Sequence, residues 1–359
     1  MELASKYRKE GRITTPGEPF EQADTIEIEG LLGSGVFEFE IFDQVKHGHF
    51  RIFKSRMVRE IKGKGTESPY EKSRLVIQGY NDDEKKTILT QSPTLQRVSQ
   101  RLIISLSPTL RQRGIHLSIR DITQAYTQSQ SSLKRVIYSH LPTEMKQQYQ
   151  EGTIIRLLKP LYGIAEAGLH WFSTYFRHHR EKLCMSTSTY DPCLLITDSN
   201  DQFAIVGIQT DDTLILADDQ WLKLEETELT KAGFKAKPKI KLSSKTKLIF
   251  NGCVLKQDAE NLMLCQKEQG RKLNAVNPNS QDMRSNYVEQ RARAAYIASM
   301  CQPEATYEMS VAAQHKEPNE ENVVNMNKRI NWMIKNIDRG LIYIPLNIQT
   351  AKVYVFVDG

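Results

Sequence analysis

Residues 203–218, FAIVGIQTDDTLILAD, decide how this chain is read. Two apolar runs, 203–209 and 213–218, flank Thr210-Asp211-Asp212. Each run is too short for a helix and the right length for a buried strand, so the stretch predicts a β-hairpin with adjacent carboxylates at its tip. Aspartate is at home in turns, and that is the ordinary explanation of such a pair. The alternative is chemical, because acids side by side at a tip repel unless a cation neutralises them. A third acid, Asp121, follows a short apolar run at 116–119. If that run is a strand beside the hairpin, Asp121 and Asp211 reach one or two divalent ions from strand ends, as phosphoryl transfer requires.

Working outward, short apolar runs at 48–58, 73–78, 136–139, 153–157 and 248–255 predict further strands, and the residues between them carry helical periodicity. The clearest helix covers 166–183, where Leu169, Phe172, Tyr175 and Phe176 share one face, and a second covers 221–231. The expected fold class is therefore α/β (α+β). Polar stretches at 274–286 and 318–322 read as linkers or long loops. The 359 residues suffice for two or three packed units, and 39% hydrophobic residues with a mean hydropathy of -0.50 describe a water-soluble chain. No apolar run approaches the roughly 18 to 20 residues that span a bilayer, so no membrane partner is expected. The polar N-terminus lacks a secretory signal, which suggests an intracellular protein without separating cytoplasm from nucleus. Five cysteines without a CxxC pair support neither a disulfide framework nor a zinc site.

The net charge of +6 is modest, but its distribution is uneven. Residues 46–64 hold seven Lys or Arg, including Lys54 and Arg56, against one acid; residues 231–247 hold seven Lys and no acid. In the second segment Lys235, Lys237, Lys239 and Lys241 recur every two residues, so an extended chain would present them on one face, suited to a phosphate backbone. A lysine-protected edge strand is the other reading.

Six ordered blocks then match one family. KSRLVIQGY (72–80), SPTLQRVSQRLI (92–103), RDITQAY (120–126), IYSHLP (137–142), LLKPLYGIAEAGLHWF (157–172) and IQTDD (208–212) resemble, in that order, the motifs of reverse transcriptases from copia-type (Ty1/copia) LTR retrotransposons. The resemblance implies a right-hand polymerase with fingers, a βαββαβ palm and a helical thumb or connection region. It maps onto a polar leader at 1–30, fingers and palm at 31–255, thumb or connection at 256–350, and a truncated first RNase H-like strand at 351–359 that ends near Asp358. Segments resembling the other parts of such a polyprotein are not found.

By the same resemblance Asp121, Asp211 and Asp212 are the catalytic acids and ligands of Mg²⁺, with Mn²⁺ as an alternative. Lys72 and Arg74 would clamp the triphosphate, and Tyr126 would lie under the incoming sugar. Glu166 stands in the nucleotide pocket where the family has Gln, so its charge is expected to repel phosphate. Gln209 stands where the family has an aromatic residue near the primer end. Lys54, Arg56, Gln209, Lys235, Lys237, Lys239 and Lys241 would contact nucleic acid. The implied activity is RNA-directed DNA polymerisation from dNTPs on a primed RNA or DNA template. The alternative is a remnant that binds nucleic acid without catalysis, and a metal-dependent phosphohydrolase is a third reading.

Overall fold

The apolar hairpin forms as read. In the computed structural model, which describes residues 1–199, 201–352 and 354, Ala204–Gln209 pairs antiparallel with Asp212–Ala217 through a two-residue turn. His116–Asp121 lies against the other edge of Asp212–Ala217, and the sheet continues as Leu194–Thr197 and Met185–Thr187 on one side and the short Ile240–Lys241 on the other. Val206, Leu214, Ile215 and Leu216 are fully buried, so the continuous apolar runs reflect strands covered on both faces. Helix Arg97–Arg111 covers one of them. A Cβ at Gly207 would sit 2.5 Å from a Leu95 methyl and 3.0 Å from an Ile103 methyl, so a larger residue there would push these side chains aside.

This sheet belongs to one of two compact units, made of residues 95–121, 185–228 and 236–359. Its second part is an antiparallel sheet of Leu248–Phe250, Cys253–Asp258, Asn261–Gln266 and Leu341–Tyr343, with helices Met283–Met300, Thr306–Gln314 and Glu320–Lys335. The single strand expected at 248–255 is a hairpin instead, because Asn251 and Gly252 adopt φ of +45° and +77°, the backbone of a tight two-residue turn. The loop expected at 318–322 is a helix start: Asn319 and Asn322 form a reciprocal capping box. The region beyond residue 256, expected to be helical, thus also carries a strand ladder.

The other unit comprises residues 1–94, 122–184 and 229–235. Phe37–Ile41, Thr153–Leu157, Tyr138–His140 and Ile52–Phe53 form one sheet, and Ser55–Lys62 pairs with Tyr70–Ile77 as a separate long hairpin. Helix Ala167–Lys182 matches the expected 166–183 within a residue at each end. Residues 1–30, expected as a polar leader, instead hold helix Glu2–Lys9 and most of helix Glu21–Gly33. Ala4, Tyr7, Ile13 and Phe20 bury themselves with Ile61, so this segment is part of the core despite its polar composition. Its polarity is itself partly buried: Asp24 and Glu27, each 6% exposed, point from the second helix onto strand Tyr70–Ile77.

No helix among the described residues is long and apolar enough to cross a membrane. All five cysteines are free thiols. Asp358 and most of the expected RNase H-like strand lie outside the described residues.

Candidate active site

Register brings two of the three acids together. Asp121 ends its strand directly opposite Asp212, which begins the neighbouring one, so their side chains leave the same face of the sheet. Asp211 occupies the exposed hairpin turn beside Thr210, whose φ is +56°. Burial, then Asp211, then Asp121 push the Asp212 carboxyl up to about 6, while Lys237 and Lys267 pull it back. The Lys237 ammonium lies 2.6 Å from Asp121 Oδ2, and the backbone N–H of Lys237 donates to the Asp121 carbonyl at 2.9 Å. Gln209 pairs with Asp212 across the hairpin, and its Oε1 is buried with no hydrogen-bond partner among the described residues.

These donors are hard oxygens with excess negative charge, and one ammonium already sits against them. That is the chemistry that suits Mg²⁺ or Mn²⁺. Among the described residues, no three His, Cys, Asp or Glu close round a common point as a finished cage.

Sequence reasoning missed what lies behind Asp121. Arg120 is 1% exposed and leaves the strand on the opposite face. Its Nε and Nη2 donate to Glu225 at 3.0 and 2.7 Å, Nη2 also reaches Glu226, and Nη1 donates to the Lys237 carbonyl at 2.8 Å. Lys239 completes the cluster, donating to Glu225 at 2.6 Å and to the Leu222 carbonyl at 2.7 Å. Burial raises the Glu225 carboxyl, but Arg120 and Lys239 outweigh it and hold it below the usual range. The signal was available: an Arg inside an apolar strand, beside a residue that must face outward, requires a buried acid.

The lysine stripe is therefore a correction. Pro238 interrupts it and only Ile240–Lys241 pairs as a strand, so the four side chains do not share one free face. Lys237 is held by Asp121, Lys239 is half-buried against Glu225, and Lys241 lies 3.2 Å from Asp219. Lys235 is exposed and belongs to the other unit.

In that unit Lys72 and Arg74 stand two apart on strand Tyr70–Ile77, hence on one face. Lys72 is in register with Glu60, whose carboxylate lies 3.8 Å from Arg74. The Arg74 guanidinium sits 5.7 Å from the centre of the Tyr162 ring, and Tyr162 is 5.2 Å from Tyr126, so an unforeseen tyrosine bridges the expected clamp and the expected sugar platform. Gly163 follows at φ +91°, where a Cβ would lie 1.9 Å from the Ile77 carbonyl oxygen; glycine alone lets this loop pack on the strand end. Lys54 and Arg56 are exposed.

Glu166 differs from its expectation. It is 6% exposed and receives Arg135 Nε and Nη2, each at 2.8 Å, while Arg135 also binds Asp82 and Glu84. Its charge is neutralised internally, so it is not a bare carboxylate confronting phosphate.

Comparison with known proteins bears on the family and the fold. Residues 40–278 match the family described as reverse transcriptase (RNA-dependent DNA polymerase). The chain belongs to that family. A retrovirus-related Pol polyprotein from transposon TNT 1-94 of Nicotiana tabacum is 27% identical over 155 residues, covering 42% of this chain and 11% of that polyprotein, in keeping with the copia-type resemblance. A foamy viral protease-reverse transcriptase in complex with double-stranded DNA superposes with a TM-score of 0.53 at 12% identity, over 88% of this chain and 48% of that one. A second such complex gives 0.52 at 13% identity, over 89% and 58%. The polymerase fold is thus shared, and the chain spans about a tenth of the curated relative and about half of these structures.

Proposed function

We propose that this reverse-transcriptase-family chain is an RNA-directed DNA polymerase that extends a primer with dNTPs on an RNA or DNA template. The observation that supports it most is the register pairing of Asp121 with Asp212 beside Asp211 in the turn. Asp121 and Asp211 would hold Mg²⁺, with Asp212 in support; bound there, the metal would supply Lewis-acid activation of a primer hydroxyl and charge neutralisation for a leaving pyrophosphate. This chain's own residues do the rest. Asp212 shares its charge with the other acids, and Lys237 must yield Asp121 when stronger cationic charge arrives. Lys72 and Arg74 hold the triphosphate as fixed cations. Tyr126, backed by Tyr162, presents a flat apolar surface to the sugar. Lys54 and Arg56 are exposed cations available to a nucleic-acid backbone through counterion release.

Primer extension on oligo(dT)-primed poly(rA), comparing wild type with Asp121→Asn, tests the proposal. Incorporation that disappears in the variant supports it; incorporation that survives removes the acid assignment. One observation favours the second reading, a remnant that only binds nucleic acid: Asp121 is already neutralised by Lys237. Salt-dependent template binding by a wild-type chain that incorporates nothing would establish that reading.

A further inference from the structure

Helix Glu21–Gly33 lies wholly upstream of the segment that matches the family, yet it sends two buried carboxylates, one turn apart, into the unit that carries Lys72, Arg74 and Tyr126. Asp24 accepts from Arg59 and from Ser73. Glu27 makes two ties. Its Oε1 accepts the backbone N–H of Leu75 at 3.3 Å, and its Oε2 accepts Gln124 Nε2 at 3.0 Å. Ser73 and Leu75 are the inward residues that alternate with Lys72 and Arg74, so fixing them fixes the outward pair. Gln124 is a non-glycine residue at φ +48°, immediately before the short helix Ala125–Gln128 that carries Tyr126. Such a backbone persists only where surrounding contacts hold it. A Cβ added at Gly30 of the same helix would lie 3.7 Å from Gln124 Nε2, so the helix passes close to this side chain.

We infer that Glu27 is a positioning residue for the nucleotide: a single buried carboxylate that couples the strand carrying Lys72 and Arg74 to the segment carrying Tyr126. The inference rests on the polymerase reading for the identity of the ligand. Glu27 touches no substrate and acts through Leu75 and Gln124. Its loss leaves the catalytic acids in place and loosens the clamp and the sugar platform together.

The test is steady-state primer extension with Glu27→Ala, Glu27→Gln and Gln124→Ala, alongside direct titration with a fluorescent mant-dNTP, and thermal melts to confirm folding. Glu27→Ala is expected to raise the KM for dNTP about tenfold while kcat changes less than about threefold, since small displacements of positioning groups have effects of this size. Gln124→Ala should show the same split. Glu27→Gln keeps an acceptor for Leu75, and its amide can pair with a flipped Gln124, so it should recover to within about threefold of wild type. An unchanged dNTP KM in a folded Glu27→Ala variant overturns the inference, as does an equal fall in primer-template affinity. If the wild type binds mant-dNTP without incorporating it, and Glu27→Ala weakens that binding, the polymerase reading fails and the positioning role stands. If the wild type binds no nucleotide, both fall.

Discussion

Arg120 and Asp121 are consecutive residues of one strand, and they enter opposite electrostatic surroundings. On one face Arg120 and Glu225 are buried, Lys239 is mostly covered and Glu226 caps them from the exposed rim, each cation on an anion. On the other, three aspartates share one corner with Lys237 against Asp121 and Lys267 farther off, and Asp212 is forced up to about 6. The first cluster is charge-balanced and closed. The second is short of positive charge and open to solvent through Asp211. A buried, satisfied network holds chain segments in register, whereas a surplus of one sign kept at a surface is what a charged ligand can correct. The two are also linked, since Arg120 donates to the carbonyl of Lys237 and so helps seat that ammonium against Asp121.

The comparison breaks most visibly if the two faces respond alike. Asp121→Asn is expected to lower incorporation at least about a hundredfold while moving the melting temperature little, because an isosteric change at a half-exposed acid removes cation affinity and not packing. Primer extension and thermal melts on the same sample check both halves. Arg120→Met should do the reverse in kind: it strips buried Glu225 of two charged hydrogen bonds, leaving it Lys239, and costs about 3 kcal/mol of stability, measured by urea denaturation. A fully stable Arg120→Met variant would show that the closed cluster is dispensable.

Asp212→Asn sharpens the contrast. An acid whose folded pKa lies near 6 binds a proton more tightly in the native state, so stability falls as pH rises from the unfolded value near 3.8 through about 6. The substitution removes that penalty. In EDTA at pH 7.5 it should stabilise the chain by about 1–2 kcal/mol, and the difference should vanish near pH 4. A variant less stable than wild type at pH 7.5 would mean that Asp212 is internally compensated after all.

The smallest effects separate lysines that looked equivalent. Replacing Lys54 and Arg56 by Ala should reduce the salt slope of template binding by about one to two with no change in stability. Lys239→Ala should leave that slope unchanged and destabilise the fold, because Lys239 is bonded to Glu225 and to the Leu222 carbonyl. Anisotropy titrations at several salt concentrations read the difference.

Much of the fold was legible because period and turn chemistry are local. Strand Thr153–Leu157 falls at its expected bounds, and the 116–119 run needed only two more residues to reach Asp121. The hairpin at Asn251-Gly252 was equally legible and was overlooked, since an Asn-Gly pair between apolar runs is among the strongest hairpin signals. That Asp121 and Asp212 meet beside Asp211 could be read because carboxylates near strand ends carry information about their own neighbours. The lysine stripe was misread for the opposite reason: a period of two says which residues share a face only if the chain is a strand, and Pro238 stood in the middle of it. Glu166 and Arg135 lie 31 residues apart, and nothing local announces their pairing. Glu27 was hidden inside a segment whose composition suggested solvent.

Thr210 gives the hairpin a further property. It is a β-branched residue at φ +56° in the first position of a two-residue turn, where glycine is the usual occupant. Roughly 1 kcal/mol of conformational strain is kept at the tip that carries Asp211. For anyone seeking a hardier form of this protein, Thr210→Gly is an obvious route, and it is also the place where added heat tolerance would come with a looser grip on the neighbouring acid. Robustness and aim are set by the same residue.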